Sequence, residues 1–146
     1  MKKSIPIEII ELEHDNYHLL VSSHFPDGSE GNWVIDTGAS KSVFDQNLRQ
    51  HYKELDGLTE ELHSAGFNDE PIKSTLGILG SFSFGKFRID KMKVAVMDLS
   101  HINTLYSKYS GAKICGLLGS DFLMKHKAVI DYKRKRLVLR VKTKRN

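Results

Sequence analysis

The sequence holds one cysteine, three prolines and one tryptophan in 146 residues. With Cys115 alone, no intrachain disulfide can form, which suits a reducing compartment and sets aside the disulfide-stapled secreted domains. No apolar run approaches membrane-spanning length, so no membrane partner is expected. The opening stretch, MKKSIPIEIIELEHD, has two lysines but no sustained apolar core before Glu8, and makes a poor signal peptide. These absences lead to the expectation of a cytoplasmic protein. No linker, low-complexity tract or long-period repeat divides the chain, so residues 1–146 are read as one domain. Its 40% hydrophobic and 27% charged content is the balance of a soluble globular protein.

The seven histidines do not converge with cysteine on a metal pattern. His14 and His18 have the i, i+4 spacing that would put two ligands on one helical face, but they straddle a turn and lack a third ligand. No metal and no cofactor is expected. Charge is distributed unevenly. Eight of the 22 basic residues, and none of the 18 acids, lie between Lys133 and Asn146, leaving the rest of the chain net negative. A basic terminus can bind nucleic acid, yet Leu137, Leu139 and Val141 alternate with Arg136, Val138, Arg140 and Lys142. That alternation describes a strand with one wet face, and nucleic-acid binding is not expected.

Period-two patterns dominate elsewhere too. Residues 4–13 and 17–25 are expected strands around a His14-Asp15-Asn16 turn, Pro26-Asp27-Gly28 marks a reversal, and Trp33–Ile35 forms a third strand. Residues 41–55 place Val43, Phe44 and Leu48 at helical spacing, which predicts a short helix. Strands follow at 72–79, 81–84 and 87–97, with glycines at 77, 80 and 85 suggesting strong curvature. A short helix is expected near 100–108. The end of the chain predicts a Gly-bounded apolar loop at Cys115–Gly119, a helix capped near Ser120 or Asp121, and a terminal hairpin.

Against this background WVIDTGAS, residues 33–40, stands out, because a buried-looking strand runs into a carboxylate and then into small residues. The later VIDYKRK repeats Val-Ile-Asp without Thr-Gly, and Asp131 there precedes only a basic turn. Hydrolysing an amide needs a base to take a proton from water and an acid to assist the carbonyl. Two carboxyl groups about 3 Å apart fill both roles, since like charges that close share one proton. Small neighbours such as Thr37, Gly38 and Ala39 let two such loops approach. The chain has a single Asp-Thr-Gly, so a second half must come from a two-fold-related copy.

WVIDTGAS resembles the active-site loop of aspartic proteases, and ICGLLGSDFL with AVIDY resembles the later loop-and-helix signature of the retroviral type. The resemblance spans about residues 5–142 and is nearer to the bacterial retropepsin-like proteases than to viral enzymes. It implies an all-β fold with one or two short helices, a closed antiparallel β-barrel of the retroviral aspartic protease type. It implies an aspartic endopeptidase acting on peptide or protein substrates as a homodimer, with Asp36 catalytic and Thr37, Gly38, Ala39 and Ser40 supporting the loop. Gly116 to Gly119 would pack behind that loop. A flap within 63–74 would cover the substrate, with Ala65, Gly66, Phe67, Leu117 and Leu118 in contact with it. Residues 98–113 form an insertion to which the resemblance assigns no role. Directly after Asp-Thr-Gly, where pepsin-like enzymes commonly carry Ser or Thr, this chain has Ala39, as the retroviral enzymes do.

Rival readings are weaker. Cys115 lies in an apolar context that favours a core residue over a nucleophile. Ser40 lacks a Gly-x-Ser-x-Gly setting. The alternative function is a catalytically silent retropepsin-like binding module, contacting nucleic acid through the basic C-terminal strand. The intact Asp-Thr-Gly favours the enzyme; the basic terminus favours the module.

Overall fold

The computed structural model describes residues 1–62 and 72–141, with side chains given outside 56–62 and 72–73. The first strand β1 is Lys2–Pro6, followed by β2 Glu8–Glu13, β3 Asn16–His24 and β4 Glu30–Ile35. Next come β5 Val43–Asp45, β6 Tyr52–Leu62, β7 Ile72–Leu79, β8 Phe82–Phe84, β9 Phe87–Ile89 and β10 Met92–Met97. Helix α1 is Ser100–Tyr109, β11 is Ile114–Leu118 and α2 is Ser120–Lys125. The chain closes with β12 Val129–Asp131 and β13 Arg136–Arg140. Among the described residues, no helix is long and apolar enough to cross a membrane.

A ten-stranded sheet runs in the order β6-β7-β10-β5-β11-β4-β3-β8-β9, with β2 also paired to β3, and a three-stranded sheet runs β1-β13-β12. The sequence reading of an all-β chain with two short helices holds, whereas the closed antiparallel barrel does not. The large sheet is open, because its outer strands β6 and β9 do not pair with each other. It is also mixed. β11 lies parallel to β4 and antiparallel to β5, and β10 lies parallel to β5. The later strand β11 therefore slots between the two strands that residues 36–42 connect.

Other boundaries move for physical reasons. The helix expected over 41–55 is instead β5, a turn, and a single 3-10 turn at Arg49–His51. Val43, Phe44 and Asp45 are all buried and pair with β10, and Val43 and Phe44 pair with β11 as well, so tertiary pairing overrides a helical spacing of apolar residues. The strand expected over 4–13 breaks at Ile7, whose N–H bonds the Lys135 carbonyl, and its halves join different sheets. The piece expected over 87–97 divides into β9 and β10. The apolar loop expected at Cys115–Gly119 is mostly β11. Helix α1 and the terminal hairpin lie where the pattern placed them.

Two apolar clusters sit on opposite faces of β4. Trp33 and Ile35 point into the main core with Phe44, Phe82, Phe84 and Leu118. Val34 points the other way, into a cluster with Leu12, Leu20, Val43, Ile114 and Tyr106. Trp33 is fully buried, and its indole N–H donates to Ser23 Oγ at 2.9 Å, so the one polar atom of the ring is satisfied. Helix α1 roofs the second cluster. Asn103 pins it there by treating Ile114 as a strand partner: Nδ2 donates to the Ile114 carbonyl at 3.0 Å and Oδ1 accepts the Ile114 N–H at 2.7 Å.

Candidate active site

Asp36 follows the last residue of β4, and its N–H continues the ladder by donating to the Leu118 carbonyl at 2.9 Å. A tight turn comes next. Ala39 N–H donates to the Asp36 carbonyl at 3.1 Å, and Gly38 N–H donates to Asp36 Oδ1 at 3.2 Å. The first-placed residues of the turn, Thr37 and Gly38, are exposed, while Ala39 is buried and Ser40 exposed. Asp36 is thus half-buried at a strand end and is followed by small residues.

The rear of this loop is clasped by the start of α2. Ser42 Oγ donates to Asp121 Oδ1 at 2.7 Å and accepts the Gly119 N–H at 2.9 Å. Ser42 N–H donates to Asp121 Oδ2 at 3.1 Å, and Phe122 N–H donates to Asp121 Oδ1 at 2.8 Å. Ser120 N–H adds a bond to the Ala39 carbonyl at 2.8 Å. Fully buried Ser42 is therefore satisfied, and hydrogen bonds to the Asp121 carboxylate are of the stronger, charge-assisted kind. Two glycines make the approach feasible. A Cβ on Gly119 would lie 2.8 Å from the Ala39 carbonyl oxygen, and one on Gly116 would lie 2.4 Å from that of Val43. Asp121 thus holds the loop, a structural role as its place at the helix start suggested, although the N-cap itself is Gly119.

The other named residues fall as follows. Leu118 is fully buried in the main core behind Asp36, while Leu117 is part-buried against the second cluster. Ala65, Gly66 and Phe67 lie outside the described residues, as does most of the expected flap; residues 72–74 begin β7. Asp131 Oδ1 accepts the Arg134 N–H at 2.9 Å and closes the β12–β13 turn. Cys115 is buried, and that burial pushes its thiol well above the ordinary range, away from a nucleophilic thiolate. His14 sits at the surface beside Glu11 and Asp15, with ligand atoms within 4.8 Å of one another, while His18 turns away to meet the Tyr106 ring edge-on.

Sequence reasoning missed the Ser42–Asp121 clasp and the packing of Tyr106. Both join residues far apart in the chain, so no local pattern announces them.

A mixed sheet with a strand slotted between the arms of an Asp-Thr-Gly loop defines a candidate acid protease centre. Residues 24–122 match the aspartyl protease family, and the chain belongs to that family. The matched segment contains both the Asp36 loop and its clasp. No curated protein sequence matches the chain. Among solved structures it is similar to a retropepsin-like aspartic protease from Rickettsia conorii, at 20% identity over 95% of this chain and 93% of that one, with a TM-score of 0.47.

Proposed function

We propose that this chain is a single-domain, retropepsin-like aspartic endopeptidase that works as a homodimer. The observation that carries the reading is the lone Asp-Thr-Gly, presented at a strand end by a clasped loop with Thr37 and Gly38 exposed. One loop supplies one carboxyl group, and Asp36 of a second copy supplies the other across a two-fold axis. The ionised member takes a proton from water as the water oxygen attacks the peptide carbonyl, and the protonated member gives its proton to the carbonyl oxygen. The resulting tetrahedral diol collapses: its C–N bond breaks, the amine gains a proton and a hydroxyl proton returns to the carboxylate. Thr37, Gly38, Ala39 and Ser40 hold the loop, and Leu117 lies on the substrate side. The flap reading for Ala65, Gly66 and Phe67 belongs to the same proposal, as does a cytoplasmic site of action. The single buried thiol suits such a compartment.

Two measurements test it together. Sedimentation at micromolar concentration should give a dimer or a concentration-dependent mixture, and a peptide library should be cleaved by the wild type but not by Asp36→Asn. A strict monomer that still hydrolyses peptides would defeat the dyad. A well-folded dimer without any cleavage would favour the silent binding module.

A further inference from the structure

Helix α1, in the stretch to which the resemblance assigned no role, brings a phenol into the second cluster. Tyr106 is 3% exposed and shares that cluster with Val34 and Ile114, with Leu117 packed against it. The alternation along β4 sends Trp33 and Ile35 to the main core and Val34 to the α1 side. Continued by one residue, it brings Asp36 to the α1 side as well. Leu117, which pairs with Val34, borders the same region.

The phenol is unusual in another way. Its hydroxyl has no hydrogen-bond partner among the described residues, a costly state for a buried polar group. Tyrosine is also a poor choice for a purely apolar roof, because phenylalanine fills the same space without that cost. Burial pushes the hydroxyl up to about 12, and the one charge acting on it is that of Asp36, which raises it further. The remaining titratable groups on the packed elements face elsewhere. Glu8, Glu11 and Glu13 of β2 are exposed, as are His101, Lys108 and Tyr109 of α1 and Tyr17 of β3, and Cys115 of β11 belongs to the main core. His18 of β3 meets the ring edge-on at a centroid distance of 5.6 Å.

Resting on the proposed dyad, we propose that Tyr106 is a positioning residue for the reaction, its hydroxyl donating to one bound water that in turn donates a hydrogen bond to the ionised Asp36 carboxylate. The insertion then has a purpose. Asn103 ties α1 to Ile114 of β11, the strand whose end bonds the Asp36 N–H, so phenol and carboxylate are held by one rigid unit. A donor placed there favours the ionised partner of the dyad and fixes the orientation of its oxygens. It is also spared the reorganisation that a mobile donor would need.

Tyr106→Phe tests this while keeping the ring. The acid limb of the kcat profile should move up by about one pH unit, the size expected for a lost hydrogen bond to a charged group, with KM nearly unchanged. The carboxyl carbon resonance of Asp36, followed against pH without substrate, should move in the same direction. His18 is present in both proteins and does not separate them. A folded Phe variant with an unmoved limb and an unmoved resonance overturns the proposal, as does a Phe variant that fails to fold, since the role would then be packing. Asp36→Asn, assayed alongside, keeps the two readings apart. If it still cleaves, the dyad is wrong; if it is inactive while the Phe variant matches wild type, only the role of Tyr106 is wrong.

Discussion

The chain contains Val-Ile-Asp twice, and the two copies end up with opposite surroundings. At residues 34–36 the Val and Ile are each 8% exposed, both pair with β11, the Val pairs with β3 as well, and they lead into a loop clasped from behind. At residues 129–131 the Val is 57% exposed on an outer strand of the small sheet, and the Asp closes a turn by accepting the Arg134 N–H. The same three residues thus give one carboxylate set at a central strand end and one spent on a local hydrogen bond. What separates them is the sequence that follows. Thr-Gly-Ala turns tightly with little bulk, whereas Tyr-Lys-Arg-Lys builds a basic hairpin turn.

The comparison predicts its largest effect in Asp36→Asn against Asp131→Asn. Removing a catalytic group that acts as part of a unit costs on the order of 10⁴ or more in kcat, and the substitution removes both carboxyl groups of the proposed dyad, so the first variant should show no measurable cleavage and an unchanged melting temperature. The second should keep its activity and lose about 1 kcal/mol of stability, the typical worth of one hydrogen bond. Equal residual activities would mean that the wrong Val-Ile-Asp has been assigned the chemistry.

The clasp should matter next. Ser42→Ala strips a fully buried hydroxyl that bridges Gly119 and Asp121, leaving the Gly119 N–H without that acceptor. A buried donor left unsatisfied costs about 1–3 kcal/mol. Urea unfolding should reveal a loss in that range, accompanied by reduced kcat because the loop carrying Asp36 loosens. Among the described residues, no comparable clasp lies behind Asp131, which accepts the Arg134 N–H of its own turn. A Ser42→Ala protein as stable and as active as wild type would show that the loop holds itself.

These contrasts explain what the sequence could and could not disclose. The Asp36 loop was legible because its chemistry is local: strand, carboxylate, then small residues. The strand at 136–140 was legible from alternation, the strand at 72–79 was legible between glycines, and a helix near 100–108 was expected where α1 lies. The helix wrongly expected over 41–55 was invisible as strand because β5 has only three residues and owes its state to β10 and β11. Open rather than closed pairing, and the two parallel pairs, depend on which distant strands meet. The clasp joins Ser42 to a residue 79 positions away, beyond the reach of any periodicity. Nothing in the sequence around Tyr106 singles it out, and only its burial in the second cluster gives it meaning.

The smallest effect predicted concerns Ala39, the residue that follows Asp-Thr-Gly. It is buried, its N–H is committed to the Asp36 carbonyl and its carbonyl to the Ser120 N–H. The backbone there is therefore fixed, and a serine would add a hydroxyl without moving the loop. A hydroxyl that donates to an ionised carboxylate favours that form, which shifts the acid limb of a bell-shaped activity profile downward. Ala39→Ser should move the limb by about half a pH unit, less than the opposite shift expected of Tyr106→Phe, because Thr37, Gly38 and Ser40 beside it are exposed and let water compete for the carboxylate. The double variant should fall between the two. Measured on one peptide substrate across pH, a limb that stays in place or moves upward would show that the new hydroxyl does not reach the carboxylate. Asp131 offers the control: no substitution around its turn should move the limb at all.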